Sequence, residues 1–356
     1  MLMNDILSII LNYFKHYIID FDVYVIADTQ ERTKYLYPSE YPHADESEFF
    51  SREEFAEIAS AIFYVFGYVR VFYSEMEFIE YFIQNKLCPK QFVVYNFARD
   101  GQANGKKSLI PAFCDLMNIR YTGSNAFVIS LLRNKDIYTM LLGLNKISVP
   151  KSMVYKVHEN PNHIITELIN EKVIVKNIHE SASIGLSTQN VFEITEDASQ
   201  ELENICAQMH CNELLIQEFI DGPEFEVLVI QFRGVYYSLM PVEIVFPDSH
   251  TYIDSEISNS YQYQFKIANT EIAPALCKAA EKAATIMRIK DYARFDFRMK
   301  NGVPYLFDIA GTPYTIHHSS IAYLFTQYYH LPYESIYKVV VACMLSNYDY
   351  FLLGTL

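Results

Sequence analysis

Basic side chains are scarce in this sequence: 28 Lys and Arg stand against 43 Asp and Glu, giving a formal charge of −15. Neutralising the phosphates of a nucleic acid needs a basic excess, so nucleic-acid binding is excluded as a general role. Cysteines are few and scattered. All six (Cys88, Cys114, Cys206, Cys211, Cys277, Cys343) sit mostly among apolar or helix-forming neighbours and read as free thiols in a reducing compartment. Cys206, His210 and Cys211 lie about one helical turn apart, but no second ligand pair is near, so no zinc site is expected. No run of 18 apolar residues occurs, so no membrane-spanning helix is expected. Residues 1–14 begin with Asn4 and Asp5 close to the start and lack a basic leader and a small-residue cleavage site. They read as an amphipathic first helix rather than a signal peptide, and a cytoplasmic location is the expectation.

What is present is core-forming material. The chain of 356 residues is 51% hydrophobic and 15% aromatic, which excludes disorder and implies two or three domains. The apolar run Val23–Ala27 stops at Asp28 as a buried strand does, and residues 91–96 (QFVVYN) repeat the pattern. Between them, Ser51-Arg-Glu-Glu54 has the form of a capping box opening a helix through Phe55, Ile58 and Ile62. Two helices are expected over residues 125–144. Strands follow at 152–157 and 172–176, with a helix at 162–170 between them. From Leu214 the pattern changes to long alternating runs, 224–232, 235–246 and 294–309. Arg233-Gly234 and Asn301-Gly302 are the expected hairpin turns. A helix is expected at 271–289, and another over 333–345 closes the chain.

Four stretches carry chemistry. The first runs from Gly101-Gln-Ala-Asn-Gly105 to Tyr121-Thr-Gly-Ser124 and Asn134-Lys135-Asp136. The second is Val173-Ile-Val-Lys176 with Ser181, Ser183 and Gly185 in the loop behind it. The third is Gln217-Glu-Phe-Ile-Asp-Gly-Pro-Glu224. The fourth joins Arg294, Asp296 and Asp308 to Thr312-Pro-Tyr-Thr-Ile-His-His-Ser-Ser320. Lys176 ends a β-branched strand beside small residues whose N–H groups can approach an anion, as in a phosphate cover, or it is an ordinary surface lysine beside a solvated turn. Glu224 opens a strand and either accepts from ribose hydroxyls or faces water. Asp296 and Asp308 fall on adjacent strands of a hairpin, where two carboxylates can share a divalent cation or form a surface ion pair. Strand alternation puts Arg294 on the face of Asp296, which suits a transferring phosphoryl group.

In this order the stretches resemble the ATP-grasp superfamily, and within it the D-alanine–D-alanine ligase branch, over roughly residues 95–336. The resemblance implies an α/β and α+β architecture: a small N-terminal α/β domain (1–121), a central α+β subdomain (122–213) and a C-terminal α+β subdomain (214–356), the last two clasping ATP. It implies that Lys135 and Lys176 contact the nucleotide phosphates and that Ser183 belongs to the loop over them. Gln217, Glu218 and Ile220 would line the adenine, and Glu224 would take the ribose. Arg294 would steady the acyl-phosphate, Asp296 and Asp308 would hold Mg²⁺, and Ser319 would meet the second substrate's carboxylate. The implied activity is an ATP-dependent carboxylate–amine ligase working on amino-acid or peptide substrates through an acyl-phosphate, with ADP and phosphate released. A homodimer is the family-level expectation.

The chain also departs from the family pattern. Ala310 stands where the third metal ligand, an Asn, is usual, and Asp308 replaces a Glu. Gln217 also replaces a Glu, and the "PGMT" stretch reads Pro313-Tyr-Thr-Ile. Residues 244–260 lack the covering-loop Lys and carry Asp248, Asp254 and Glu256. The Gly-Gly and Ser-x-Glu motif that holds the first D-alanine is missing. D-alanine is therefore not the expected substrate. The alternatives are a degenerate nucleotide-binding pseudoenzyme and a D-alanine–D-alanine ligase proper. His317 and His318, adjacent in a loop beside the substrate position, are expected to be exposed.

Overall fold

A computed structural model of the protein describes residues 3–16, 21–30, 49–101, 103–179, 186–247 and 250–353. The N-terminal domain runs α1 (Met3–His16), β1 (Asp22–Ala27), α2 (Arg52–Phe66), β2 (Val69–Phe72), α3 (Glu75–Asn85), β3 (Phe92–Phe97), α4 (Leu109–Met117) and β4 (Arg120–Tyr121). Its parallel sheet has the order β2-β1-β3-β4. Every residue of β3 is buried, as continuous apolar strands covered on both faces require. The capping box forms: Ser51 Oγ accepts from the Glu54 N–H at 3.2 Å and the Glu54 carboxylate accepts from the Ser51 N–H at 2.7 Å. This fixes the start of α2, and with it the placing of Glu54 and Glu57.

The middle of the chain contains α5 (Ala126–Leu132), α6 (Lys135–Leu144), β5 (Ser152–Lys156), α7 (Asn162–Leu168), β6 (Lys172–Asn177), β7 (Val191–Glu193), α8 (Ala198–Gln208) and β8 (Glu213–Glu218). The antiparallel sheet β5-β8-β6-β7 buries Val173, Val175, Leu214 and Ile216 against Ile164 and Leu168 of α7 and Leu202 of α8. A division after residue 213 cuts this sheet, because β8 pairs with both β5 and β6. At the other border, α5 and α6 share their core with the C-terminal sheet, not with the central one.

The remainder is β9 (Glu224–Phe232), β10 (Val235–Ser238), β11 (Val242–Val245), α9 (Ser255–Ser260), β12 (Gln264–Ile267), α10 (Ala273–Met287), β13 (Tyr292–Lys300), β14 (Val303–Ala310), α11 (Ser320–Tyr323) and α12 (Ser335–Leu353). The sheet order is β12-β11-β9-β13-β14, with β10 also on β9. Both expected hairpins form as two-residue turns with positive φ at each centre: Arg233 51° and Gly234 76°, Asn301 53° and Gly302 76°. The run expected as one strand over 235–246 is two strands. Pro241 has no N–H for the ladder, and the break falls at residues 239–241.

Alternation divides this sheet. Phe225, Val227, Phe295 and Phe297 face the core made with α6 and α10. The residues between them, Glu224, Glu226, Arg294, Asp296 and Arg298, share the opposite face across paired strands. At one end that face continues as Leu228, Ile230 and Tyr292 in the core with α12. At the other end it is charged and open to a cleft. The turn before β9 is held close to β13. A Cβ on Gly222 would lie 1.9 Å from the Met299 carbonyl oxygen, and Met299 N–H donates to Pro223 O at 3.0 Å. The Tyr121–Ser124 stretch is a joint between domains: Gly123 N–H donates to Asp291 Oδ2 and Lys290 N–H to Ser124 Oγ.

Candidate active site

A cleft of about 800 Å³ lies between the central sheet and the charged face of the C-terminal sheet, with α2 of the N-terminal domain closing one end. Asp308, Asp296 and Glu226 stand side by side across β14, β13 and β9. Arg294 Nε and Nη2 reach both oxygens of Asp296 at 2.8 Å, and Nη2 also meets Glu226 at 3.1 Å. Burial opposes the charge on this guanidinium, but Asp296 and Glu226 on either side hold it protonated. Burial also pushes Glu226 up to about 7 against the pull of Arg294, and it raises Asp296.

Asp308 behaves differently. Burial alone would raise its carboxyl, but Lys135 and Lys176 hold it well below the usual carboxylate range. Lys135 Nζ lies 2.6 Å from its Oδ1, and the Tyr138 hydroxyl donates to the same oxygen at 3.0 Å. Lys176 Nζ donates to Gln217 Oε1 at 3.0 Å, and Gln217 Nε2 donates to Ser152 Oγ at 3.1 Å. With an amide there instead of a carboxylate, burial and then Lys135 lower Lys176 to about 8. Since nucleotide phosphates favour the ammonium form, ATP affinity should fall above about pH 8, by up to about tenfold per pH unit. Lys176→Arg should flatten that slope. Calorimetric titration with a non-hydrolysable ATP analogue reads both, and a wild-type affinity constant from pH 7 to 9.5 would contradict the assignment.

Most of the expected residues meet in this cleft: Lys135, Lys176, Gln217, Glu218, Ile220, Glu224, Arg294, Asp296, Asp308 and Ser319 all line it. Ser183 lies outside the described residues, as does the rest of 180–185, and so does Asp248. Glu224 is buried and paired with Arg298 at 2.8 Å, and Glu218 meets Lys300 at 3.1 Å. Ser319 caps α11: its hydroxyl accepts from Ala322 N–H and donates to Ile316 O at 2.7 Å. His317 is exposed and stacks on Tyr333. His318 is half-buried among Tyr261, Tyr263 and Phe265, so the expectation of exposure fails for it. Residues 250–260 reach across the cleft, with the Tyr252 hydroxyl donating to Ser187 O and Ser255 N–H to Leu186 O.

Sequence reading missed Arg298, Glu226, Tyr138 and the contact around Tyr314. Arg298 and Glu226 could have been found by counting two residues on from Asp296 and Glu224 along the same face. Arg99 is buried, with its guanidinium 4.4 Å from the Phe50 ring centre and 4.3 Å from that of Tyr314. It donates to Thr312 O at 3.3 Å and so ties the N-terminal domain to the Pro313–Ile316 stretch.

The donor set also bears on a metal. Asp308 keeps an ionised carboxylate with Oδ2 free of the bonds that occupy Oδ1, and Asp296 lies opposite it. Asp308 Oδ2, together with the Asp296 carboxylate that Arg294 now bonds, suits a cation that arrives with a nucleotide and completes its shell with phosphate and water. Ala310 offers nothing. Among the described residues the group that brings three acidic ligand atoms within 4.8 Å is elsewhere, at Asp28, Glu75 and Asp100.

Lysines beside paired carboxylates in a cleft between two antiparallel sheets make up the arrangement of an ATP-grasp protein. The family model described as the D-ala D-ala ligase C-terminus matches residues 144–338, more than half of the chain. The chain belongs to that family and is an ATP-dependent, ADP-forming C–N ligase. The D-alanine–D-alanine ligase of Pelagibacter ubique is 28% identical over 230 residues, covering 63% of this chain and 71% of that protein. That of Coprothermobacter proteolyticus is 26% identical over 216 residues, covering 59% and 69%. By fold, the chain resembles the D-alanine–D-alanine ligase from Bacillus anthracis complexed with ATP, at a TM-score of 0.68 and 14% identity over 91% of this chain and 97% of that one. The VanG D-Ala:D-Ser ligase from Enterococcus faecalis gives 0.62 at 15% identity, covering 91% and 100%. Among the described residues no helix is long and apolar enough to cross a membrane.

Proposed function

We propose that the chain activates the carboxylate of an amino acid or peptide with ATP and transfers the acyl group to an amine. The observation that carries this reading is Arg294, fixed by a two-bond fork to Asp296 and flanked by Glu226, beside the Asp308–Lys135 pair. A carboxylate oxygen attacks the γ-phosphorus and ADP leaves. The amine nitrogen then attacks the acyl carbon, phosphate leaves and the amine loses a proton. Lys135 and Lys176 neutralise the charge on the transferring group, and Arg294 meets the oxyanion that forms at the acyl carbon. Asp296 and Asp308 would hold Mg²⁺, whose charge supports the same phosphates when it is bound. Gln217, Glu218 and Ile220 border the adenine, Glu224 the ribose, and Ser319 sits at the acceptor's end. Tyr252 and its neighbours exclude water that would hydrolyse the acyl-phosphate.

The test is ADP release from ATP and Mg²⁺ with pooled L- and D-amino acids, D-alanine included, with products read by mass spectrometry. The reading requires amino-acid-dependent ADP and a product whose mass is the sum of two substrates less water. ADP without such a product, or none from protein shown to bind ATP, would sink it.

A further inference from the structure

Residues 311–319 carry the chain from β14 to the Ser319 cap of α11, and they form neither strand nor helix. Without a ladder of their own, their placing rests on ties to other segments. The N-terminal domain supplies hydrogen bonds at both ends of the stretch: Arg99 Nη2 donates to Thr312 O at 3.3 Å, and Glu57 accepts from His317 N–H at 3.0 Å. From the other side the Tyr333 hydroxyl donates to Thr315 O. Arg99 lies two residues past β3, and its own N–H donates at 2.5 Å to Asp28 Oδ2, just past the end of β1. Its guanidinium is enclosed by the rings of Phe50 and Tyr314, which meet edge to face with centres 5.2 Å apart. Phe50 in turn packs on Phe97 of β3. The residue is 2% exposed, and Nε has no hydrogen-bond partner. Two rings and one carbonyl replace only part of the hydration such a group gives up, so filling space alone would favour an apolar side chain here. Tyr314 lines the cleft and Arg99 does not, so the clamp bears on the site from behind.

We propose that Arg99 is a positioning residue for the second half of the reaction. Through Thr312 and Tyr314 it fixes residues 312–319, and with them the acceptor amine seated at Ser319, against the acyl carbon beside Arg294. This rests on the ligase reading of the cleft. When the amine is misplaced, water takes its place at the acyl carbon, phosphate leaves and the carboxylate is restored, so ADP forms without product. The test is the ratio of condensed product to ADP, made by the full chain from ATP, Mg²⁺ and pooled L- and D-amino acids and read by mass spectrometry. The wild-type ratio is expected to be close to unity. Arg99→Met, which keeps an unbranched stem and drops the cation, should lower it about tenfold. If that variant fails to fold, the half-buried Tyr314 decides the matter. Tyr314→Leu should lower the ratio about threefold, while Tyr314→Phe, which keeps the ring face over the guanidinium, should stay within about twofold of wild type. A merely structural role would slow ADP and product together and leave their ratio alone. A ratio that neither Arg99→Met nor Tyr314→Leu lowers, or one that Tyr314→Phe lowers as far as Tyr314→Leu does, would overturn the proposal and leave the ligase reading standing. No condensed product from the wild-type chain would sink both.

Discussion

Arg294→Lys should lower kcat about a hundredfold while changing the KM for ATP by less than about threefold. The substitution keeps a positive charge between Asp296 and Glu226, so the two carboxylates retain a partner. It removes the planar fork that now bonds both oxygens of Asp296 at 2.8 Å and fixes where the remaining N–H groups point. An ammonium on a flexible stem cannot hold that direction, and an oxyanion forming at the acyl carbon loses its aligned donors. Interactions made only with the transition state appear in kcat, not in KM. Arg294→Ala should also destabilise the fold by about 3–5 kcal/mol, since it strands buried carboxylates. Urea denaturation beside steady-state kinetics separates the two effects. A Lys variant with full kcat would remove Arg294 from the chemistry.

Asp308→Asn should lower kcat/KM for ATP about a thousandfold. Asp308 Oδ1 now holds both Lys135 and Tyr138. Without its charge, Lys135 loses its counter-ion and its repulsion of Lys176 goes unanswered, so Lys176, proposed to meet phosphate, loses its proton at a lower pH. A hard-oxygen donor for a phosphate-borne cation is lost at the same time. The variant should therefore need a lower pH than wild type for its best ATP binding, a shift that a merely structural role would not produce. Calorimetric titration across pH reads it, and unchanged ATP affinity with an unchanged pH profile would contradict the role.

Local chemistry made much of this architecture legible. The Ser51–Glu54 box, the Arg233-Gly234 and Asn301-Gly302 turns and the opposition of Asp296 to Asp308 all follow from residues near each other in sequence or from simple alternation. What escaped depends on partners distant in the chain. β2, β4 and β7 are two to four residues long, too short for periodicity to register, and they exist because a neighbouring strand supplies their ladder. β8 was expected beyond a domain border because an apolar strand carries no mark of which sheet it joins. Nothing local in the sequence marks Glu226 or Arg298; the β9–β13 register sets Glu226 against Asp296 and Arg298 against Glu224. The Arg99 stack needed three segments, residues 50, 99 and 314, to meet.

The central claim is that ATP activates a carboxylate in the cleft above Asp296 and Asp308. Its most direct test is turnover with amino acids labelled with ¹⁸O in the carboxylate, followed by mass analysis of the phosphate released. Transfer through an acyl-phosphate predicts one ¹⁸O atom in each inorganic phosphate formed, with labelled phosphate appearing about a hundredfold more slowly from Arg294→Lys. Unlabelled phosphate from the wild-type protein would mean that water, not a carboxylate, takes the phosphoryl group, and would contradict the account.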